Sequence, residues 1–424
     1  MTTIILTQYS GSILGPIAKV LGWVMNWVYL FLENVFGIEN IGITIIGLTI
    51  LIYMCMLPLT VKQQKFSKLQ QKMQPEIKAI QEKYKGRRDQ ESQLAMNEET
   101  QALYARYGIS PMGTCLPMLL QLPVFFALYR VIYNVPAYVS GVKAAFDGVV
   151  EGIIHTAGYQ GIMEKFLENL KLTQQIGADF NSSNLEAVKN FIVDSIYKMP
   201  TTGWDELRAS FPGLQQVIDS TEVQLNHMNT FLGMNISDSP LAIMMSSFQQ
   251  HAYLFVLLAL LIPFSSYASQ MLNIKLMPQA DSDPDSQMAR QMKMMNYTMP
   301  LFSMVLCFSV PVGLGIYWIF SSLTRCVQQY FVNKHIQNLD LDQVIAKNVE
   351  KRKKKLEKMG ISENQIRNAA KMSTKSSAQL SANLSKAERD AKIEKAYEYR
   401  KTANPNSLTA KANLVKDFNE RNNK

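Results

Sequence analysis

The chain has 424 residues, of which 47% are hydrophobic and only 18% charged, and its formal net charge is +9. Its apolar residues are clumped into runs that reach or approach the ~20 residues needed to cross ~30 Å of hydrocarbon as a helix. This clumping argues against a soluble multidomain protein and predicts an all-α polytopic membrane protein. The basic excess indicates cytoplasmic loops first and nucleic-acid binding only second.

The four cysteines lie in or beside apolar runs, and the four histidines are scattered along the chain. Neither set has the spacing of a disulfide framework or of a metal site. The sequence also lacks a Ser/His/Asp order, a His-Glu-x-x-His motif and a phosphate-binding loop. We therefore expect no metal, no cofactor and no enzymatic activity.

The segment before the first clear span has two interpretations. Residues 1–40 contain an apolar helical stretch that either lies amphipathically at the membrane interface or crosses the membrane. Trp23, Trp27 and Tyr29 favour the interfacial interpretation, because aromatic side chains with a polar end concentrate at headgroup level.

Residues 41–61 are predicted to form the first core span and residues 62–110 a helical hairpin. Apolar residues of the hairpin recur at spacings of three and four, which places them on one helical face. Pro75 should bend or break the first hairpin helix, Gly86 should end it, and Asp89 should cap the second helix. A solvated charged loop is the alternative, but the paired apolar stripes favour a hairpin.

The rest of the chain alternates between apolar and polar segments. In order these are a second core span at 111–135, a helical inserted domain at 136–250, a third span at 251–272, a loop at 273–295, two spans within 296–331, and a tail at 335–424. A helix over 296–331 would be roughly 54 Å long, too long for one crossing, so the run should fold near Pro311.

Charge sets the expected topology of these segments. The inserted domain has 12 acidic and 6 basic residues, whereas the tail has 20 Lys or Arg and 11 Asp or Glu. Because loops rich in Lys and Arg stay in the cytoplasm, the hairpin, the loop and the tail should be cytoplasmic. The inserted domain should then be extracytoplasmic.

Several short motifs follow one another along this arrangement. They are Pro58-Leu59-Thr60-Val61-Lys62-Gln63-Gln64, Gln74-Pro75-Glu76-Ile77, Leu119-Leu120-Gln121-Leu122-Pro123, Pro311-Val312-Gly313-Leu314-Gly315 and Gln328-Gln329-Tyr330. In this order and topology, the chain resembles the YidC family of membrane insertases. The resemblance covers roughly residues 15–135 and 250–334, and its hairpin residues of interest are Gln74, Pro75 and Gly86.

The resemblance implies a five-helix insertase core in the bacterial cell (plasma) membrane. Its implied function is to move hydrophobic segments of nascent proteins into the bilayer through a polar, lipid-open groove, alone or with the Sec translocon. The implied partners are nascent membrane proteins, membrane lipids, the Sec translocon and the ribosome, with no small-molecule substrate. A small-solute transporter or channel is the alternative, although no internal repeat supports it.

The groove residues carried over from the family include one departure. Thr49 and Gln121 match the family's groove threonine and glutamine, but Tyr53 stands where the family usually has an arginine. Arg325 is the candidate replacement. It precedes the first lysine beyond its span by as many residues as Tyr53 precedes the first lysine beyond the first core span, so the two should lie at similar depth in the membrane. Trp318 and Ser322 lie on the same helical face as Arg325.

Three of these assignments keep an alternative. Arg325 either supplies the groove's charge or extends toward the cytoplasmic headgroups. Methionines of the spans either form a pliable path for apolar segments or simply pack. The basic run Lys351-Arg352-Lys353-Lys354-Lys355 either attracts ribosomal RNA or only fixes topology and contacts anionic lipid; the length of the tail favours the ribosome.

Overall fold

The computed structural model describes residues 8, 11–87, 89–109, 116–277, 287–337 and 339–358. Its elements are almost all helices, which confirms the predicted all-α class. Before the inserted domain they are α1 (Leu14–Phe36), α2 (Ile41–Lys83), α3 (Gln90–Arg106) and α4 (Leu116–Tyr133). After it they are α13 (Tyr253–Leu276), α14 (Gln287–Cys307), α15 (Val312–Gln337) and α16 (Leu341–Lys358).

The inserted domain is built from short helices around one small β-hairpin. Its helices are α5 (Ser140–Ala144), α6 (Asp147–Ile154), α7 (Tyr159–Asn169), α8 (Thr173–Ile176), α9 (Leu185–Lys198), α10 (Gly203–Ser210), α11 (Gln215–Asn229) and α12 (Pro240–Gln249). Strands β1 (Thr230–Phe231) and β2 (Met234–Asn235) pair antiparallel between α11 and α12. The prediction of a mostly helical insertion is confirmed.

Three helices within the described residues are long and apolar enough to cross a membrane, namely α1, α2 and α13. The other predicted core spans correspond to α4, α14 and α15, which are shorter in their apolar part or more polar. α14 ends at Cys307 and α15 begins at Val312, so the chain turns beside Pro311 as expected. Together these helices make the chain a multi-pass membrane protein.

The structure departs from the prediction in two places. α2 continues through Pro58 and Pro75 to Lys83, so of the two predicted effects of Pro75, a bend or a break, the break does not occur. Met73 and Ile77 on either side of Pro75 are buried, and this packing holds the helix where one backbone donor is missing. The loop expected at 273–295 is also shorter, because α13 reaches Leu276 and α14 begins at Gln287. The predicted loop ends followed the appearance of charged residues in the sequence, but those residues do not end the helices.

The described chain divides into two compact units, and the smaller one combines residues of the range 80–108 with residues 346–358. Within it, Gly86 has a φ of +84°, in the left-handed region that glycine adopts without strain. Asp89 caps α3 by accepting from the Ser92 backbone N–H at 2.8 Å, as predicted. Lys83 and Glu99 form a 2.5 Å ion pair that joins the two arms of the hairpin.

The larger unit comprises residues up to 79 and residues 109–345. α1 packs along α4. Gly22 of α1 leaves room for the Tyr138 ring in the segment that follows α4, because a Cβ there would lie 2.0 Å from Cδ1 of Tyr138. Tyr29, a supposed interfacial marker, is instead fully buried, whereas Trp23 and Trp27 are exposed. α1 therefore has one packed face and one open aromatic face.

A continuous apolar core connects the spanning helices with the inserted domain. Ile45 and Leu48 of α2 belong to the same buried cluster as Phe146, Phe166 and Phe211 of the inserted domain. The domain is therefore packed on the helix bundle.

Hydrogen bonds tie the inserted domain to the turn between α14 and α15. The backbone N–H groups of Val312 and Gly313 donate to the carbonyls of Asp238 and Ile236 at 2.9 and 3.0 Å, and the Leu241 N–H donates to the Phe308 carbonyl at 3.0 Å. These bonds give partners to backbone groups at the end of one helix and the start of the next.

The domain is also tied to the start of α2 and to α1. The Asn40 side-chain amide donates to the Thr230 carbonyl at 2.8 Å, and the Ser140 N–H donates to Asn26 Oδ1 of α1 at 2.9 Å. Asp238 stands at this junction with a carboxyl that accepts from the Thr201 hydroxyl, and burial raises its pKa. The α14–α15 turn, the start of α2 and the middle of α1 thus all bond to the same domain.

The close contact between α15 and α13 predicts the effect of a small substitution. A Cβ at Gly315 of α15 would lie 2.5 Å from Cγ2 of Ile262 on α13 and 3.1 Å from Cys307 Sγ. We expect Gly315→Ala to destabilise the protein by about 1–3 kcal/mol, the range of overpacked cores. The measurement is the thermal unfolding temperature of the purified protein in detergent.

Gly161 of α7 is the matched control, because a Cβ there would meet nothing within 4 Å. Gly161→Ala should be neutral or stabilising by up to about 1 kcal/mol from helix propensity. Equal unfolding temperatures for the two variants would contradict the close α13–α15 contact.

Candidate polar cavity

A cavity of about 310 Å³ lies among α2, α4, α13 and α15. Polar and apolar side chains alternate on its wall: Tyr53, Met56, Leu59, Thr60, Gln63, Gln64, Phe66, Ser67, Gln121, Asn273, Met277, Arg325 and Gln329. A polar cavity of this size within a bundle of apolar helices has room for several water molecules.

Gln121 connects three helices on one side of this cavity. Its side-chain amide on α4 lies 3.4 Å from the Tyr53 hydroxyl on α2 and 3.3 Å from the Tyr317 hydroxyl on α15, and it donates to both. The Gln328 amide donates to the Tyr53 carbonyl at 2.7 Å, which is a bond from α15 to the backbone of α2. Amide and phenol groups thus pair with one another in the apolar surroundings.

Arg325 supplies the charge of the cavity. Its guanidinium carbon lies 5.7 Å from the centre of the Tyr53 ring, within the range of a cation–π contact. Nε donates to the Ser321 carbonyl at 3.3 Å and a terminal nitrogen to the Ser322 hydroxyl at 3.4 Å. In the part of the chain that the structure describes, Arg325 has no ion pair with a carboxylate.

A second cavity of about 300 Å³ adjoins the first. Its wall comes from α13, α14 and α15: Gln270, Asn273, Ile274, Met277, Met295, Asn296, Met299, Pro300 and Arg325. Asn273, Met277 and Arg325 line both cavities. The guanidinium therefore borders two polar spaces.

The structure places the six predicted groove residues in two groups. Tyr53, Gln121 and Arg325 line the first cavity. Thr49 is fully buried and donates to the Ile45 carbonyl of its own helix at 2.6 Å. Ser322 is buried beside Arg325.

Trp318 also lies away from the cavity walls. Its ring stacks on Phe125 of α4, with ring centroids 6.0 Å apart and planes 9° apart. Thr49, Ser322 and Trp318 thus support neighbouring residues and do not face the cavity.

Sequence reasoning missed the polar residues that α2 contributes below Tyr53. Thr60, Gln63 and Ser67 follow Tyr53 and Met56 at spacings of three and four, so they continue the same helical face. That spacing was present in the sequence. Asn273 of α13 was missed as well, and its position at the end of an apolar run was the available signal.

The hairpin and tail residues also have defined positions. Gln74 is half-buried and Pro75 exposed within α2, and Gly86 forms the turn that follows the helix. Lys351, Lys353 and Lys354 are exposed on α16. Arg352 is half-buried there, and the side chain of Lys355 lies outside the described residues.

Comparison with known proteins covers most of the chain. The model of the family described as 60Kd inner membrane protein matches residues 31–174 and 209–339, well over half of the sequence. The match extends into both ends of the inserted domain and leaves 175–208 between its two parts. It therefore reaches further than the sequence motifs did.

Three similar proteins are described as membrane protein insertase YidC. The protein of Syntrophobacter fumaroxidans is 46% identical over 116 residues, 27% of this chain and 19% of the relative. That of Bifidobacterium longum is 36% identical over 143 residues, 32% of this chain and 42% of the relative. The YidC 1 protein of Halalkalibacterium halodurans is 37% identical over 108 residues, 26% of this chain and 41% of the relative.

The matched segments therefore span between about a fifth and two fifths of the length of these relatives. Residues on both sides of the inserted domain fall within the family match. The YidC resemblance of the sequence motifs is confirmed, and the chain belongs to the 60Kd inner membrane protein family.

Proposed function

We propose that the chain is a membrane protein insertase that moves hydrophobic segments of nascent proteins into the bilayer. The observation that carries this proposal is Arg325, a charged residue that borders two polar cavities between apolar helices. Ionisable groups inside the membrane are costly and are usually functional. The names of the relatives, all membrane protein insertases, support the same activity.

The cavities suit a substrate with two chemically different parts. A short hydrophilic tail enters the polar space, where water and amide groups replace part of its hydration and lower the cost of its transfer. Arg325 attracts an acidic residue in that tail, because it has no carboxylate partner among the described residues. Tyr53 provides a ring for the guanidinium but no fixed charge.

The apolar part of the substrate needs a path into lipid. Met56 lines the first cavity, and Met295 and Met299 line the second. Methionine adapts to differently shaped apolar surfaces because its side chain is flexible and polarizable. We infer that these residues contact the hydrophobic segment as it leaves the protein.

The orientation and the partners form part of the proposal. The hairpin and the tail face the cytoplasm, since they carry much of the chain's Lys and Arg, and α1 crosses the membrane beside α4. The exposed basic residues of α16 attract the ribosome, which brings nascent chains to the cavities with or without the Sec translocon. The chain acts without chemical catalysis.

Replacing Arg325 tests its role in the cavities. Arg325→Leu, reconstituted into liposomes, should insert a single-span substrate with an acidic tail about fivefold more slowly, since an attraction of ~1 kcal/mol is worth that factor. Protease protection of the substrate tail measures the insertion. Arg325→Lys should retain most of the activity.

The matched control is the same substrate with a neutral tail, which the leucine variant should insert as the unchanged protein does. An equal loss for both tails would indicate a structural role for Arg325. Insertion of neither tail above the level of empty liposomes, by the unchanged and folded protein, would refute the insertase proposal.

Neutralising the basic run of α16 tests the ribosome contact. Replacing Lys351, Arg352, Lys353 and Lys354 with Gln should weaken co-sedimentation with ribosomes, because each lost cation removes one phosphate contact. Binding of the unchanged protein should fall steeply as salt rises. Truncation after Lys334 should abolish it.

A variant with Lys143, Lys165, Lys171 and Lys189 of the inserted domain changed to Gln has the same net charge as the α16 variant. It should sediment with ribosomes as the unchanged protein does. Binding that is insensitive to salt, or an equal loss in both variants, would count against the tail contact.

A further inference from the structure

The part of the chain that joins the inserted domain to α13 carries no charge. Between Asp238 and Lys275 the sequence has no Asp, Glu, Lys or Arg. This stretch would form a helix of roughly 54 Å, too long for a single crossing. The chain folds it instead into α12 and α13, joined by a turn at His251, whose φ is +58°.

α12 lies against α13 and carries no charged residue on either face. Ile243 and Pro240 are buried on its inner face. On its outer face Leu241, Met245 and Phe248 are 46%, 61% and 64% exposed, at positions i, i+4 and i+7 of the helix. A helix of a water-exposed domain would carry polar or charged residues on this face.

The open face of α12 continues into the open face of α13. The Phe248 ring packs edge-on against the Tyr253 ring, with centroids 6.0 Å apart, and Tyr253 is itself 58% exposed. From there Leu254, Leu257 and Leu261 form an exposed apolar row along α13, which is one of the helices able to cross a membrane. The two helices thus present one continuous apolar surface.

Polar groups occur where this surface ends. His251 Nδ1 lies 3.2 Å from the Tyr253 hydroxyl, at the turn between the helices. Ser239 caps the start of α12 by accepting from the Ala242 N–H at 3.2 Å. Tyrosine and histidine beside an apolar surface suit the boundary between lipid tails and headgroups.

We propose that α12 is a membrane-embedded anchor whose Leu241, Met245 and Phe248 face contacts lipid, so that the inserted domain is seated in the bilayer surface beside α13. The occupant is lipid because the surface has no charge, is continuous with the row on α13, and ends in aromatic and histidine side chains. This anchor does not depend on insertase activity. It gives the inserted domain a second attachment besides its contacts with the helix bundle.

Photocrosslinking of the full-length protein in liposomes tests the anchor. A benzophenone amino acid is placed at Met245 or Phe248, and mass spectrometry detects adducts with the lipid. Leu261 of α13 is the lipid-facing control. Val223 of α11 and Leu185 of α9, which are 71% and 51% exposed, are the controls for lone apolar residues of the inserted domain.

Adducts with lipid at positions 245, 248 and 261, several-fold above those at 185 and 223, are the expected result. Labelling at 261 with only control levels at 245 and 248 would overturn the proposal. Adducts of 245 and 248 with protein in place of lipid would assign the face to a protein partner and overturn it as well. Unchanged unfolding temperatures in detergent, measured for each variant, establish that the folded protein is being tested.

Discussion

A positive charge between apolar helices is the constraint on which the rest of the bundle depends. A guanidinium without a carboxylate partner is tolerated within a membrane protein only if water, aromatic rings and amide or hydroxyl oxygens surround it. Arg325 meets this condition through the Tyr53 ring, two oxygens of its own helix and the two cavities that it lines. The same requirement explains the glutamines that bridge α2, α4 and α15, since each buried polar group between these helices needs a hydrogen-bond partner.

Close packing between helices has the opposite effect to these polar groups, because it brings the helices of the bundle together. Gly315 brings α15 into direct contact with α13 above the cavities, and Gly22 brings α1 against the segment that follows α4. Bulky and polar residues then separate the helices farther along, where Met56, Met277 and Arg325 line the open space. The same helices are thus in close contact at small residues and farther apart where larger residues line the cavities.

Prediction from the sequence was accurate for features that depend on residues close together in the chain. The cap at Asp89, the turn at Gly86 and the break beside Pro311 follow from side-chain chemistry within a few residues, and each is present. It was less accurate where tertiary contacts decide. Pro75 does not break α2, and Tyr29 is buried because Gly141 allows α5 to approach it.

The same distinction applies to the candidate site. The family resemblance pointed to Tyr53, and the comparison of depths and helical spacing pointed to Arg325; their side chains are in contact. Thr49 and Trp318 lie on the expected helices, but rotation of a helix by a fraction of a turn is enough to direct a side chain into packing. That rotation is set by neighbours far away in the sequence, which residue spacing alone does not encode.

The hydrogen bonds between the inserted domain and the α14–α15 turn have a consequence for the order of assembly. Ile236 and Asp238 are synthesised about seventy residues before Val312 and Gly313, to which their carbonyls bind. During synthesis the inserted domain is complete while those carbonyls still lack their final donors. These hydrogen bonds therefore form only after the last two spanning helices have been synthesised. The helix bundle reaches its final packing at that late stage.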